Sequence, residues 1–202
     1  MIVGLKKWND PVTAYIQTNN PTEEILRKLN APTKLESCGP TAATMLCAAI
    51  GADTSIVTPG GYMPQPEEIL FDYFNDPRNA LTLLRIRRDV DPGKYMGNEV
   101  PQFYTAAVPA VFGVPAYFRE RISIDVIQEA LEVNHGVMVT LRSPGHYIAI
   151  VALDIDTGEV IYNDPWPGNP WPVEMAGKPT FNRRVPYAAL MANVKPYRVV
   201  IG

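Results

Sequence analysis

Histidine and cysteine are both scarce in this sequence, with two of each among 202 residues. No set of these residues has the spacing of a zinc site, so we expect no metal. Basic residues are not in excess either, because 18 Lys and Arg stand against 21 Asp and Glu, for a net charge of −3. This balance lacks the basic footprint of nucleic-acid binding and argues against docking on anionic membranes.

Long apolar runs are also missing, since none approaches the ~20 residues that a membrane span needs. Residues 1–8 turn polar too early for the apolar core of a signal peptide. We therefore expect a cytoplasmic or phage-encoded protein. A secreted protein is the alternative if a signal peptide precedes this sequence.

Proline, in contrast, is abundant, with 20 residues spread over the whole chain. That is about twice its average frequency, and the spread favours rigid loops over a disordered tail. A chain of 202 residues is long enough to bury a substantial core. We expect one domain that covers residues 1–202.

Helical periodicity comes first along the chain and strand periodicity later, which is the order of an α+β fold. The predicted helices cover residues 22–29, 39–50, 67–74, 80–88, 99–112, 124–133 and 187–192, and Pro109 is expected to kink or end the fifth of them. The predicted strands cover residues 13–17, 137–141, 147–153, 160–162 and 197–201. We expect the N-terminal helices to pack on an antiparallel sheet.

Cys38 is placed at the start of a predicted buried helix that ends at Gly51. The unpaired backbone N–H groups and the dipole at a helix N-terminus favour a thiolate, which is the nucleophilic form of cysteine. The other cysteine, Cys47, is nine residues further along the same helix and points to the opposite face, so a disulfide between the two is excluded. We interpret Cys47 as a small buried residue.

A nucleophilic thiol needs a base, and only His135 and His146 can supply an imidazole. His135 follows a predicted helix, where the dipole alone favours a cation. His146 begins an apolar strand, a position that suits a residue facing a cleft, so we choose it as the base.

An acid on the neighbouring strand can orient that imidazole. Asp164 follows the strand that forms a predicted hairpin with the His146 strand, which brings the two positions close together. An Asp-Pro turn without a catalytic role is the alternative for Asp164. Asn163 points to the other face and is the weaker candidate.

Three short motifs resemble those of the papain-like cysteine peptidases: Cys38-Gly39-Pro40-Thr41, Gly145-His146-Tyr147 and Asn163-Asp164-Pro165-Trp166. They are most similar to the bacteriocin-leader-peptidase-like branch, which occurs in bacteria and phages. The resemblance covers residues 13–166 and extends to the last strand. It implies a papain-like α+β fold and a cysteine peptidase that requires no cofactor.

The resemblance also implies roles for individual residues. Cys38 would be the nucleophile, His146 the general base and acid, and Asp164 the residue that orients His146. The family carries a glutamine upstream of the cysteine, which completes an oxyanion hole. Residues 30–37 contain no glutamine, so this role is assigned to Gln17, with Asn30 as the alternative.

Gly39, Tyr147 and Trp166 are the residues that we expect to bind substrate. For the two aromatic residues, packing in the core or in a loop is the alternative. The sequence Asp154-x-Asp156-x-Gly158 is faintly similar to a calcium loop but lacks the remaining ligands, and we interpret it as a hairpin turn.

Three functions fit these residues. The first is a cysteine peptidase or amidohydrolase that cleaves a peptide or isopeptide bond through a thioester intermediate, acting on a peptide or peptidoglycan-type substrate. The second is an acyltransferase with the same fold. The third is a peptide-binding module without catalytic activity, which the missing nearby glutamine favours.

Overall fold

The computed structural model describes residues 1–13, 15, 37–55, 65–89, 100–172 and 180–202. The strands of these residues are Ile2–Gly4 (β1), Ala116–Glu120 (β2), Gly136–Leu141 (β3), Tyr147–Asp154 (β4), Glu159–Asn163 (β5), Arg183–Pro186 (β6) and Val194–Ile201 (β7). Their α-helices are Cys38–Ile50 (α1), Pro66–Asn75 (α2), Ala80–Ile86 (α3), Tyr104–Phe112 (α4), Ile124–Glu132 (α5) and Tyr187–Asn193 (α6).

The described strands form one antiparallel sheet in the order β2-β7-β3-β4-β5-β6, and β1 pairs with the C-terminal end of β4. β3 and β4 are buried along their whole length, so both of their faces are covered. This explains why their sequences are continuous apolar runs rather than alternating ones. The predicted α+β class with an antiparallel sheet is confirmed.

Helix α1 carries Cys38 and packs against β3 and β4. It is rich in alanine, and its small side chains allow a close approach to the sheet, with every residue from Gly39 to Ala49 buried. The helix ends at Gly51, which has a left-handed φ of 97°, as the glycine stop predicted. The nucleophile candidate is therefore fixed to the rigid centre of the fold.

Several predicted elements are found with small shifts at their ends. Ser123 caps α5, because its Oγ accepts a hydrogen bond of 3.3 Å from the backbone N–H of Val126. Pro109 lies inside α4 and does not end it; the helix runs on to Gly113, which has a φ of 68°. The predicted helix over residues 22–29 lies outside the described residues, as does most of the predicted strand over residues 13–17, of which Thr13 ends a short 3-10 turn.

Three strands were missing from the sequence prediction, namely β1, β2 and β6. All three are short and carry charged or exposed residues, so they lack the apolar run that marks β4. The structure also shows how the C-terminal segment returns to the sheet, since β7 lies between β2 and β3. Within the described residues, no helix is both long enough and apolar enough to cross a membrane.

Candidate active site

Cys38 is the first residue of α1, and its side chain is only partly buried. Ser37, the N-cap residue, makes no side-chain capping bond to the helix. Pro40 has no backbone N–H, so the N–H groups of Cys38 and Gly39 are those at the mouth of the helix. These two backbone donors and the positive end of the helix dipole thus lie at the end of α1 that carries the thiol, an arrangement suited to an anion.

His146 directly precedes β4, at the end of the turn that joins it to β3. The backbone N–H of Leu141 donates a hydrogen bond of 2.7 Å to the His146 carbonyl, which fixes the main chain. The His146 side chain is 5% exposed. The base candidate is thus held by a buried hairpin rather than by a free loop.

Asp164 follows β5, the hairpin partner of β4. The pairing of Ala149 with Asn163 places position 164 next to the start of β4. His146 Nε2 lies 2.7 Å from Asp164 Oδ1, and Asp164 is fully buried. The closeness that the hairpin predicted is therefore present in the structure. Asn163 instead accepts a hydrogen bond of 3.0 Å from the backbone N–H of Asn182, away from the imidazole.

The imidazole also makes a hydrogen bond to Cys38. Because Nε2 is engaged by Asp164, Nδ1 is the ring nitrogen that remains for the thiol. Burial alone lowers the pKa of His146, but the hydrogen bonds to Asp164 and Cys38 and the charges of these partners outweigh it and raise the pKa from 6.5 to about 9. The imidazole is therefore protonated at neutral pH, in contact with a thiol on one side and a carboxylate on the other.

The Asp164 carboxylate receives four hydrogen bonds from the described residues, two on each oxygen. Oδ1 accepts from His146 Nε2 and, at 2.9 Å, from the backbone N–H of Trp166. Oδ2 accepts from Asn169 Nδ2 at 2.8 Å and from Arg183 Nη1 at 2.6 Å. An ionised carboxylate uses both oxygens as acceptors, so this set of donors is fitted to the charged form.

Aromatic side chains border the imidazole and the helix mouth. The Trp166 ring meets the His146 ring edge to face, with centroids 5.7 Å apart, and is itself half-buried. Tyr147 is 6% exposed and lies 6.0 Å from the Tyr104 ring, centroid to centroid. Burial, together with the nearby Tyr147 and Cys38, raises the pKa of Tyr104 well above its usual range, so this phenol stays neutral.

The structure therefore brings together Cys38, His146 and Asp164, with Gly39 and Trp166 beside them. Tyr147 is buried among core residues, so its role in substrate binding stays a prediction. Gln17 and Asn30, the two candidates for the oxyanion hole, lie outside the described residues.

Sequence reasoning missed Arg183, Asn169 and Tyr104. Arg183 is buried because burial alternates along β6, with Arg183 and Val185 inward and Arg184 outward. An arginine in the inward phase of an alternating strand was the available signal, but β6 was not predicted. Two consecutive arginines are more typical of an exposed segment.

Among the described residues, no group of three or more His, Cys, Asp or Glu side chains is arranged to hold a metal ion. Cys47, the second thiol, is fully buried, and this burial raises its pKa to about 12. It is therefore a poor nucleophile, in line with the interpretation of Cys47 as a packing residue.

Comparison with known families identifies the chain. The Peptidase C39-like family matches residues 10–184, which include Cys38, His146, Asp164 and Arg183. The chain belongs to the peptidase C39-like family. Membership indicates a cysteine peptidase-like function and agrees with the predicted papain-like fold class.

One solved structure similar to this C39-like protein is the N-terminal peptidase C39-like domain of the toxin secretion ATP-binding protein from Vibrio parahaemolyticus. The two share 15% sequence identity over 66% of this chain and 90% of that one, with a TM-score of 0.36. No match was found among curated proteins.

Proposed function

We propose that the protein is a cysteine peptidase that cleaves a peptide or isopeptide bond through a thioester acyl-enzyme. The observation that supports this most is the hydrogen-bonded series from Cys38 through His146 to Asp164. Each member of this series has a property that the reaction needs. Cys38 is a thiol at a helix N-terminus, His146 is an imidazole with a raised pKa, and Asp164 is a buried carboxylate.

In the proposed first half-reaction, the Cys38 thiolate attacks the carbonyl carbon of the scissile bond and forms a C–S bond. The carbonyl oxygen becomes an oxyanion at the mouth of α1, where the backbone N–H of Cys38 can donate to it. The His146 imidazolium gives its proton to the leaving nitrogen, the C–N bond breaks, and the amine departs. A thioester to Cys38 and a neutral His146 remain.

In the second half-reaction, His146 takes a proton from water, whose oxygen attacks the thioester carbon. The C–S bond then breaks, and the product leaves as a carboxylic acid. The Cys38 thiolate and the His146 imidazolium are restored. Asp164 stays ionised throughout and stabilises the imidazolium in both halves.

Gln17 is proposed as the second oxyanion donor, through its side-chain N–H groups. Gln17→Ala should lower kcat by about 100-fold or more, as the loss of one oxyanion donor does elsewhere, with a smaller effect on KM. Asn30→Ala is the matched control. A large loss of kcat in Asn30→Ala and none in Gln17→Ala would transfer the role to Asn30.

We propose that the protein belongs to the bacteriocin-leader-peptidase-like branch. We also propose that it binds a peptide or peptidoglycan-type substrate near Gly39, Tyr147 and Trp166. The half-buried Trp166 supports a substrate surface beside His146, because it offers an aromatic face at the border of the site. We also propose that the protein comes from a bacterium or a phage.

The test is incubation with a degenerate peptide mixture and with cross-linked peptidoglycan fragments, with products read by mass spectrometry. Wild type and Cys47→Ala should cleave at the same rate, because Cys47 is buried away from the solvent. Cys38→Ala should be slower by at least about 1,000-fold. Equal cleavage by Cys38→Ala would refute the proposal.

Added hydroxylamine separates hydrolysis from acyl transfer. A peptidase releases mainly the carboxylic acid, whereas an acyltransferase yields mainly the hydroxamate. The absence of cleavage, combined with a Cys38 that alkylates no faster than an ordinary thiol, would instead support the peptide-binding module.

A further inference from the structure

Arg183 is the permanently charged donor among the four groups that hold Asp164. Its Nη1 lies 2.6 Å from Asp164 Oδ2, and both side chains are fully buried. The remaining donors are the His146 ring, an amide side chain and a backbone N–H. A carboxylate and a guanidinium that are removed from water together compensate each other's charge.

The position of Arg183 follows from the edge of the sheet. Arg183 on β6 is paired with Tyr162 on β5. Tyr162 comes two residues before Asp164 in the chain. The inward phase of β6 therefore points the guanidinium toward the carboxylate that follows β5. Arg183 Nη2 also lies 3.5 Å from the Pro167 carbonyl oxygen, so the same side chain contacts the loop that carries Trp166.

We infer that Arg183 is a positioning residue of this site, which keeps Asp164 ionised and holds it against His146. The inference deepens the proposed cysteine peptidase function and rests on it. Arg183 has no direct part in bond making. It acts on Cys38 through Asp164 and His146, by fixing the charge that supports the imidazolium.

The titratable and charged groups around Asp164 come from several elements: His146 from the β3–β4 turn, with Cys38 of α1 behind it, Tyr162 from β5 and Arg183 from β6. Burial makes a carboxylate easier to protonate once its cation is removed. A protonated Asp164 would no longer support the His146 imidazolium, so the Cys38 thiolate would form only at higher pH.

The test measures the rate of iodoacetamide alkylation at Cys38 from pH 4 to 10, by mass spectrometry of the Cys38 peptide, and needs no substrate. In Arg183→Gln, which removes the charge but keeps a donor, the pH midpoint should rise by about 1 unit or more. In Arg183→Lys, which keeps the charge, the pH midpoint should rise by no more than about half as much as in Arg183→Gln.

Arg184→Gln is the matched control. Arg184 is the adjacent arginine, is 41% exposed, and pairs with Asp154 and Glu159 instead of Asp164. The alkylation midpoint of Arg184→Gln should equal that of wild type. A midpoint in Arg183→Gln that is unchanged or lower, or an Arg183→Lys midpoint raised as far as that of Arg183→Gln, would overturn the inference.

A double variant keeps the inference testable if Arg183→Gln does not fold. Asp164→Asn carries a neutral side chain, as protonation of Asp164 would produce, and Asp164→Asn/Arg183→Gln removes both charges of the Asp164–Arg183 pair. If Arg183 acts through Asp164, the pH midpoint of Cys38 alkylation should be the same in Asp164→Asn and in Asp164→Asn/Arg183→Gln. A further rise in the double variant would overturn the inference.

The same experiment separates this inference from the proposed function. A wild-type profile that follows an ordinary thiol and ignores His146→Ala would refute both. An acidic wild-type midpoint that depends on His146 but not on Arg183 would refute the role of Arg183 alone.

Discussion

His146 Nε2 and Asp164 Oδ1 lie 2.7 Å apart, in a part of the molecule from which water is almost fully excluded. The two residues are 18 positions apart in the sequence and are joined by one β-hairpin. Because each belongs to an element that the sheet holds in register, their contact is set by the backbone. The proposed base is thus pre-oriented before any substrate arrives.

The His146 imidazole should titrate with a pKa of about 9. The second histidine can be removed by His135→Gln, so that one imidazole remains for an NMR titration. Asp164→Asn should lower the measured pKa, because the charge that favours the imidazolium is lost. A value near 6.5 in wild type would contradict the account.

The pH dependence of stability should follow from this titration. The pKa of His146 is raised above its unfolded value of 6.5, so its contribution to stability is complete below pH 6.5 and is lost as the pH rises toward about 9. In a Cys38→Ala background, where no thiol at position 38 titrates, the free energy of unfolding should fall over this window by at most about 3 kcal/mol. Denaturant titrations of Cys38→Ala across this pH window measure the fall. The control, Cys38→Ala/His146→Ala, should show no such fall.

The buried Asp164–Arg183 pair should couple strongly in stability. Asp164→Asn removes the buried carboxylate that Arg183 contacts and should lower the free energy of unfolding by about 3–5 kcal/mol. Asp164→Asn/Arg183→Gln should recover part of that loss, because the buried guanidinium that faced the lost carboxylate is then removed as well. Losses that simply add in the double variant, measured by urea unfolding, would show that the pair is not coupled.

Gly136 sets how closely the Cys38 helix packs on the sheet. A Cβ at this position would lie 2.7 Å from Leu46 Cδ2 and 3.0 Å from Leu46 Cβ. Leu46 is fully buried and cannot easily move aside, so Gly136→Ala should destabilise the protein by about 1–3 kcal/mol in thermal or urea unfolding.

Leu46→Ala provides the control for this clash. Alone it should cost about 2–5 kcal/mol through the cavity that it creates. Added to Leu46→Ala, Gly136→Ala should cost clearly less than it does in wild type. The same cost in both backgrounds would mean that the contact with Leu46 does not limit position 136.

The sequence was sufficient to predict the parts of the fold whose signals are local. α1 has a glycine stop at Gly51, and β4 is an apolar run that begins next to His146, so the placement of the thiol and the imidazole could be inferred. The closeness of Asp164 also followed, because a hairpin turn fixes which residues face each other.

What the sequence did not predict depends on long-range packing. Arg183 lies at the edge of the sheet, in a four-residue strand without an apolar run. Its inward orientation is decided by pairing with β5, and its charge is tolerated in the core because Asp164 Oδ2 lies 2.6 Å from its Nη1. Such a compensation between two buried charges is visible only after both elements have been placed.

The most direct test of the central claim is the rate of Cys38 alkylation by iodoacetamide against pH, in wild type and in His146→Ala, with the buried Cys47 as internal control. The account predicts fast labelling of Cys38 well below pH ~8.5, the usual pKa of a free thiol, and a marked slowing in His146→Ala. Labelling that follows an ordinary thiol and is the same in both proteins would contradict it.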